Sequence, residues 1–254
     1  MAAGRYDFSV QSNSFEPVNF VRTGVPVVAI AAAFQKDPQV LIAHPGAGND
    51  TLEAMKGKPV LISAASRENF WKFLVQRFGF SDDQIRPYTF SLAPFLASKT
   101  AIQQGYLGSE PFLVRQQGGF DPIVLSLSDA GFAGYASLIA TSRALTQQNP
   151  DLVRRFLTAT EAGWQSYLNG DPTPGDALIR QANPDMSPEL LAYGRAALKS
   201  HGIVQSGDAN TFGIGAMTDA RWTQFFQSMV AAHLYPPSLN YKAAYTLQFT
   251  QAGK

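Results

Sequence analysis

Residues 25–33 (VPVVAIAAA) constrain this chain more than any other stretch: an unbroken apolar run with no polar residue in it. A strand that is apolar at every position is buried on both faces, as in a sheet covered by helices on each side. Helical spacing precedes it at Phe15, Val18 and Val21 and stops at Gly24. Before that, residues 6–10 read as a short strand that enters a polar loop at 11–14. Further strands are expected at 40–43, 59–62, 85–90, 105–107 and 123–127. Between them lie a turn of helix at 50–55, a helix at 67–78 and one starting near Leu92. This alternation predicts an α/β fold with mostly parallel sheets.

From Ser142 onward the pattern turns helical. Residues 149–168 carry the stripe Leu152, Val153, Phe156, Leu157, Thr160 and Trp164. Helices follow at 187–200 and 218–233, the latter with Trp222, Phe225, Phe226 and Met229 on one face. Residues 169–175 read as a Gly/Pro/Asp loop, and 241–249 as a packed extension. Late helices with apolar faces need a surface already built. That predicts two lobes, the chain leaving the first, building the second and returning: residues 1–57 with 136–254, and residues 58–135.

Composition removes whole classes of function. The 254 residues are 45% hydrophobic and 15% charged, as in a folded globular chain. A net charge of +1 gives no basic field for nucleic acid. There is no cysteine, hence no disulfide, thiolate nucleophile or Cys-based zinc or iron–sulfur site. His44, His201 and His233 show no metal-ligand spacing, so no metal site is expected. Glycine-rich nucleotide motifs and a Gly-x-Ser-x-Gly elbow are missing too. No catalytic residue and no cofactor are assigned. No apolar run approaches the ~18 residues of a membrane span, and the opening residues MAAGRYDFSV do not read as a signal peptide.

Candidate binding residues sit where expected strands end, the usual ligand position in open α/β sheets. Ser12, Asn13 and Ser14 form one such end; an ordinary turn is the plain alternative. Ser63 and Ser66 lie between a strand and a helix start, where free N–H groups suit an anionic or polar ligand, or where Ser66 simply caps the helix. Trp71 is placed either to stack on a flat ligand or, as most helical aromatics, in the core. Tyr88 ends a strand. Glu110, in Gly-Ser-Glu-Pro, offers a carboxylate to an aminopyrimidine-like ring or a cation, or else forms a hinge salt bridge; Tyr106 is its expected neighbour. Asp129 and Tyr135 fall at the return crossover.

Six stretches in order resemble the solute-binding proteins of ABC importers that take thiamine-pyrimidine precursors, together with their relatives for sulfonates, nitrate and riboflavin. They are AGRYDF at 3–8, FQKDPQV at 34–40, LEAMKGKP at 52–59, GYLGSEPF at 105–112, NPDLVRRFLTATEAG at 149–163, and Arg221-Trp222 with the helix after it and 237–247. The resemblance implies a two-lobed type II periplasmic-binding-protein fold with ligand between the lobes. It adds Phe34 to the cleft set, implies a membrane permease as partner, and implies a periplasmic or lipid-anchored extracytoplasmic location. Family chains carry a leading βαβ unit before the AGRYDF-like segment, so the first lobe is expected to lack it, with an exposed sheet edge and marginal solubility unless a partner or dimer fills the gap. The ligand is expected to be a small heteroaromatic or anion: a pyrimidine precursor, a riboflavin-like molecule or a sulfonate. The rival readings are the pyrimidine synthase of thiamine biosynthesis, whose Cys-rich iron motif this chain lacks, and a ligand-sensing module of the same fold.

Overall fold

The computed structural model describes residues 5–250. Two sheets organise them. In the first, β1 (Phe8–Asn13) and β2 (Val27–Phe34) flank β8 (Ala136–Ser142), both antiparallel to it. The second comprises β3 (Gln39–Ala43), β4 (Val60–Ile62), β5 (Ile85–Pro87), β6 (Ile102–Tyr106) and β7 (Ile123–Ser126), in the order β5-β4-β6-β3-β7.

The α/β class holds, but the first sheet is antiparallel and the second mixed, so the sheets are not mostly parallel. Only β4–β5 and β4–β6 run parallel; β3 is antiparallel to both β6 and β7. An all-apolar strand reports burial on two faces and nothing about its neighbours' direction. Accordingly β2 sends Ala29 and Ala32 into one core and Val28, Ile30 and Ala31 into another. β3 splits in the same way, with Leu41 and Ala43 on one side and Val40 and Ile42 on the other. This strand also lies in the second sheet, although the expected division at residue 58 put it with the first lobe. The change of sheet falls instead in residues 35–38, between β2 and β3.

The helices begin and end on local signals. α1 (Phe15–Thr23) stops at Gly24, at φ 72°, and α2 (Phe70–Phe78) at Gly79, at φ 69°; both are left-handed positions that glycine fills without strain. α2 packs Phe70, Trp71 and Leu74 on the face of the second sheet that carries Val60, Ile62 and Ile102. α3 (Ala93–Ala97) and α4 (Glu110–Gly118) cover the opposite face with Phe95 and Val114. α5 (Arg143–Gln148) leads into α6 (Pro150–Asn169), which starts on Asn149, whose side chain accepts from Leu152 N at 3.2 Å.

The stripe predicted on α6 is only half covered. Val153 is buried, while Phe156 is 38% exposed and stacks on Phe8 with ring centroids 3.9 Å apart. α7 (Thr173–Ala182) begins inside the stretch expected to be a loop, because Pro172 and Pro174 suit a first helical turn as well as a turn. α8 (Pro188–Ser200) and the short α9 (Ala209–Phe212) follow. α10 (Asp219–Ala231) buries Trp222, Phe225, Phe226 and Met229, as its spacing predicts. The tail returns to the first sheet: Tyr245 bridges Ala29 and stacks on Trp222 at 4.7 Å, with the rings 1° from parallel.

Candidate functional site

Strand direction brings one set of ends together. β4, β5 and β6 finish at Ile62, Pro87 and Tyr106. β3 starts beside Tyr106, since Gln39 pairs with it, and β7 ends beside Val40. In the first sheet β1 and β2 finish opposite Ala136, where β8 starts. Residues 35–38 and 127–135 carry the chain between these ends. The two sheets therefore meet at strand ends, where backbone groups and side chains are free to face a ligand.

Asp37 occupies the first crossover and is 1% exposed. Its carboxylate accepts from Gln39 N at 3.0 Å, Gln39 Nε2 at 3.3 Å and Asn13 Nδ2 at 3.4 Å. Burial outweighs these bonds and pushes its pKa up to about 6. Lys36, next to it, turns instead to Asp129 on the second crossover at 3.5 Å. Tyr106 is 41% exposed. Burial of its ring, then the charges of Asp37 and Glu110, push its phenol up to about 12. Among the described residues, no Lys or Arg figures in the shifts of Asp37, Tyr88 or Tyr106.

Glu110 opens α4 and is buried. It accepts from Tyr88 Oη at 3.0 Å, from Tyr106 N at 2.8 Å and from Ser109 Oγ. With three donors converging on it, Glu110 anchors β5, β6 and α4 and acts outward through its charge. It was expected as a ligand acceptor or a hinge salt bridge; these three donors engage its carboxylate, and it forms no ion pair among the described residues. Tyr88 is held in the same cluster; burial and Glu110 both raise its phenol pKa. Phe90, two residues on, is 75% exposed at φ 64°, a left-handed conformation that a bulky side chain adopts only under constraint. Its ring lies 5.1 Å from that of Tyr88.

Ser63 and Ser66 face each other, Oγ to Oγ, at 2.9 Å, just past β4. They do not offer the open N–H cradle expected. Ser63 N donates to Gln104 Oε1 at 2.6 Å, and Ser66 N donates to Ser63 O at 3.1 Å. Nor does Ser66 cap α2: it lies in the 3-10 turn Ala65–Glu68, and Asn69 caps the helix. The extra turn consumes the donors that a helix starting at once would have left free.

Other candidates are engaged elsewhere. Trp71 is 1% exposed, gives its indole N–H to Asp82 at 2.8 Å and packs edge-on against Phe80; it is core. Phe34 packs edge-on against Trp164 of α6. Asn13 belongs to the Asp37 cluster and accepts from Phe15 N, whereas Ser12, on the same strand, projects to the opposite face and is exposed. Tyr135 is buried and fully bonded: its hydroxyl donates to Asp208 and accepts from Thr218 N at 2.9 Å, and Arg221 lies 4.7 Å over its ring.

Sequence reasoning missed Asp37, Gln39 and Gln104. Their signal is polarity inside otherwise apolar strands and at a strand start, as in Ile102-Gln103-Gln104. Cavities of about 230 Å³ and 340 Å³ lie elsewhere, between the first sheet and α6, and include none of these residues.

The architecture is that of the periplasmic binding proteins. The structure superposes on the periplasmic sulfonate-binding protein SsuA of Methylobacillus flagellatus KT with a TM-score of 0.66 at 12% identity, over 98% of this chain and 74% of that one. A desulfurization enzyme, DSZB, shares the fold more distantly, with a TM-score of 0.54 at 11% identity over 95% and 83%. The family described as NMT1/THI5 like matches residues 1–173, and the chain belongs to it. A riboflavin-binding protein, RibY, of Chloroflexus aurantiacus is 26% identical over 236 residues, which is 91% of this chain and 66% of that protein. The chain thus spans about two thirds of that relative's length.

Proposed function

We propose that this chain is the ligand-capturing component of an ABC importer, acting outside the cytoplasm and delivering its ligand to a membrane permease without transforming it. The ligand is a small, flat heteroaromatic that carries N–H donors and no net negative charge. One observation carries the choice of ligand: Tyr106 stands half-exposed at the meeting of the strand ends, where the charges of Asp37 and Glu110 both raise its phenol pKa and, among the described residues, no Lys or Arg offsets that shift. Such a field repels anions and favours donors. The exposed ring of Phe90 beside Tyr88 supplies an aromatic surface at the same end of the second sheet. RibY, which is named for binding riboflavin, supports the same class of ligand.

A sulfonate-like ligand is disfavoured because the N–H groups of Ser63 and Ser66 are already spent. The synthase reading is disfavoured by the lack of any cysteine, although DSZB shows that the fold also hosts an enzyme.

The test is a thermal-shift titration of the purified chain against riboflavin, aminopyrimidines, alkanesulfonates, aromatic carboxylates and nitrate. A bound ligand raises Tm in proportion to the logarithm of its concentration. A saturable shift confined to the nitrogen heterocycles is expected. A shift confined to sulfonates or nitrate overturns the choice of ligand, and turnover of a bound heterocycle overturns the assignment as a binding protein.

A further inference from the structure

β6 carries two consecutive glutamines where its neighbours carry Leu, Ile and Val. Gln104 is 3% exposed. Its Oε1 accepts the backbone N–H of Ser63 at 2.6 Å. A backbone N–H only donates, so this bond fixes which end of the amide faces β4. The opposite end, Nε2, has no hydrogen-bond partner among the described residues, and it is not one of the polar atoms sealed from solvent. The Ser63 hydroxyl is turned to Ser66 and does not compete for it.

The register sets the direction. Gln104 pairs with Leu41, and Tyr106 with Gln39, so Gln104, Tyr106 and Gln39 lie on one face of the sheet. Gln39 in turn reaches Asp37. A donor-only amide and an acidic group therefore stand on one surface, separated by Tyr106.

We propose that Gln104 is a specificity-determining residue of the ligand site: its Nε2 donates to a ring carbonyl oxygen, while the ligand's own N–H groups face the Asp37 side. The inference rests on the function proposed above and narrows it to ring systems of the lactam kind, with acceptor and donor at neighbouring positions. A buried donor left without its acceptor costs binding, which is how such a site rejects the wrong hydrogen-bonding pattern.

Two probes of matched size and opposite pattern test it, uracil and 2,4-diaminopyrimidine, titrated by calorimetry. The wild-type chain is expected to prefer uracil by roughly tenfold or more. Gln104→Glu keeps an acceptor for Ser63 N but turns the ligand-facing donor into an acceptor, and it is expected to reverse the preference. Gln104→Met removes the group and is expected to erase the preference, which covers the case in which the Glu variant does not fold. A ratio unchanged in folded variants overturns the inference. So does a wild-type preference for the diamine, or failure of both probes in a protein that binds another heterocycle of the panel. A wild-type chain that binds no heterocycle overturns the proposed function itself, and this inference with it.

Discussion

Tyr88 donates its phenolic proton to Glu110 at 3.0 Å, tying the exit of β5 to the start of α4. The same carboxylate holds Tyr106 N at 2.8 Å at the end of β6. Three elements are thus fixed by one buried side chain. Glu110→Ala leaves the Tyr106 N–H and the Tyr88 hydroxyl without their partner, and it is expected to lower stability by about 2–4 kcal/mol. Equilibrium urea unfolding measures it; a loss below about 0.5 kcal/mol would contradict the anchoring role.

Gly105 lies under the same side chain. A Cβ added there would sit 2.8 Å from Glu110 Cβ. Gly105→Ala therefore forces α4 away from the sheet and is expected to cost about 1–3 kcal/mol. Combined with Glu110→Gly the cost should be less than additive, because that change removes the Cβ the methyl would meet.

Asp37 sets a pH dependence whose sign is unusual for a carboxylate. Its pKa stands at about 6 in the folded chain against an ordinary 3.8. Between these values the folded state binds more protons than the unfolded one, so this group's contribution to stability is fully present below pH ~4. It is lost as pH rises through ~6 and level above that. The full difference corresponds to about 3 kcal/mol. Asp37→Asn removes the titration. The stability of the variant relative to wild type is therefore expected to rise from pH 4 to pH 7, and a flat difference across that range would refute the assignment.

Trp71 separates core from site. Trp71→Ala empties a fully packed position and leaves Asp82 without the indole donor. It is expected to destabilise by roughly 3–5 kcal/mol. At temperatures where the variant is still folded, heterocycle affinity should match wild type in calorimetry. A loss of affinity without loss of stability would return Trp71 to the binding surface.

Tyr135 and Arg221 join the two crossovers to α10. Arg221 donates to the carbonyls of Gln35 and Ala133, one on each crossover, while Tyr135 bonds Asp208 and Thr218. Tyr135→Phe is expected to cost about 1–3 kcal/mol, because the Thr218 N–H and the Asp208 carboxylate lose their common partner. Hydrogen exchange should speed up first at residues 35–38 and 127–135; unchanged exchange there would argue against a tie between the crossovers.

Much of the architecture was legible in local pattern. The stripe of α10, the Asn149 start of α6 and the glycine stops of α1 and α2 follow from side-chain spacing and capping chemistry, which act within a few residues. Glu110 was singled out because it follows an expected strand with Pro111 fixing the chain after it, and it stands at the end of β6, opening α4. Its engagement by Tyr88, 22 residues away, had no local sign. Ser63 and Ser66 misled for a related reason: whether a backbone N–H is free depends on a strand partner, here Gln104, 41 residues distant.

By itself the sequence determined the α/β class, the lack of any thiol chemistry and the positions of the long helices, since each depends on composition or on short-range periodicity, and it carried the family resemblance in the order of six short stretches. Strand direction, the sheet to which β3 belongs, the burial that raises Asp37 and the bond that locks the Gln104 amide were decided only by the tertiary structure. Each of these is a relation between segments far apart in the chain. Its energy depends on which partner and how much solvent the fold leaves beside a group, quantities that no window of residues contains.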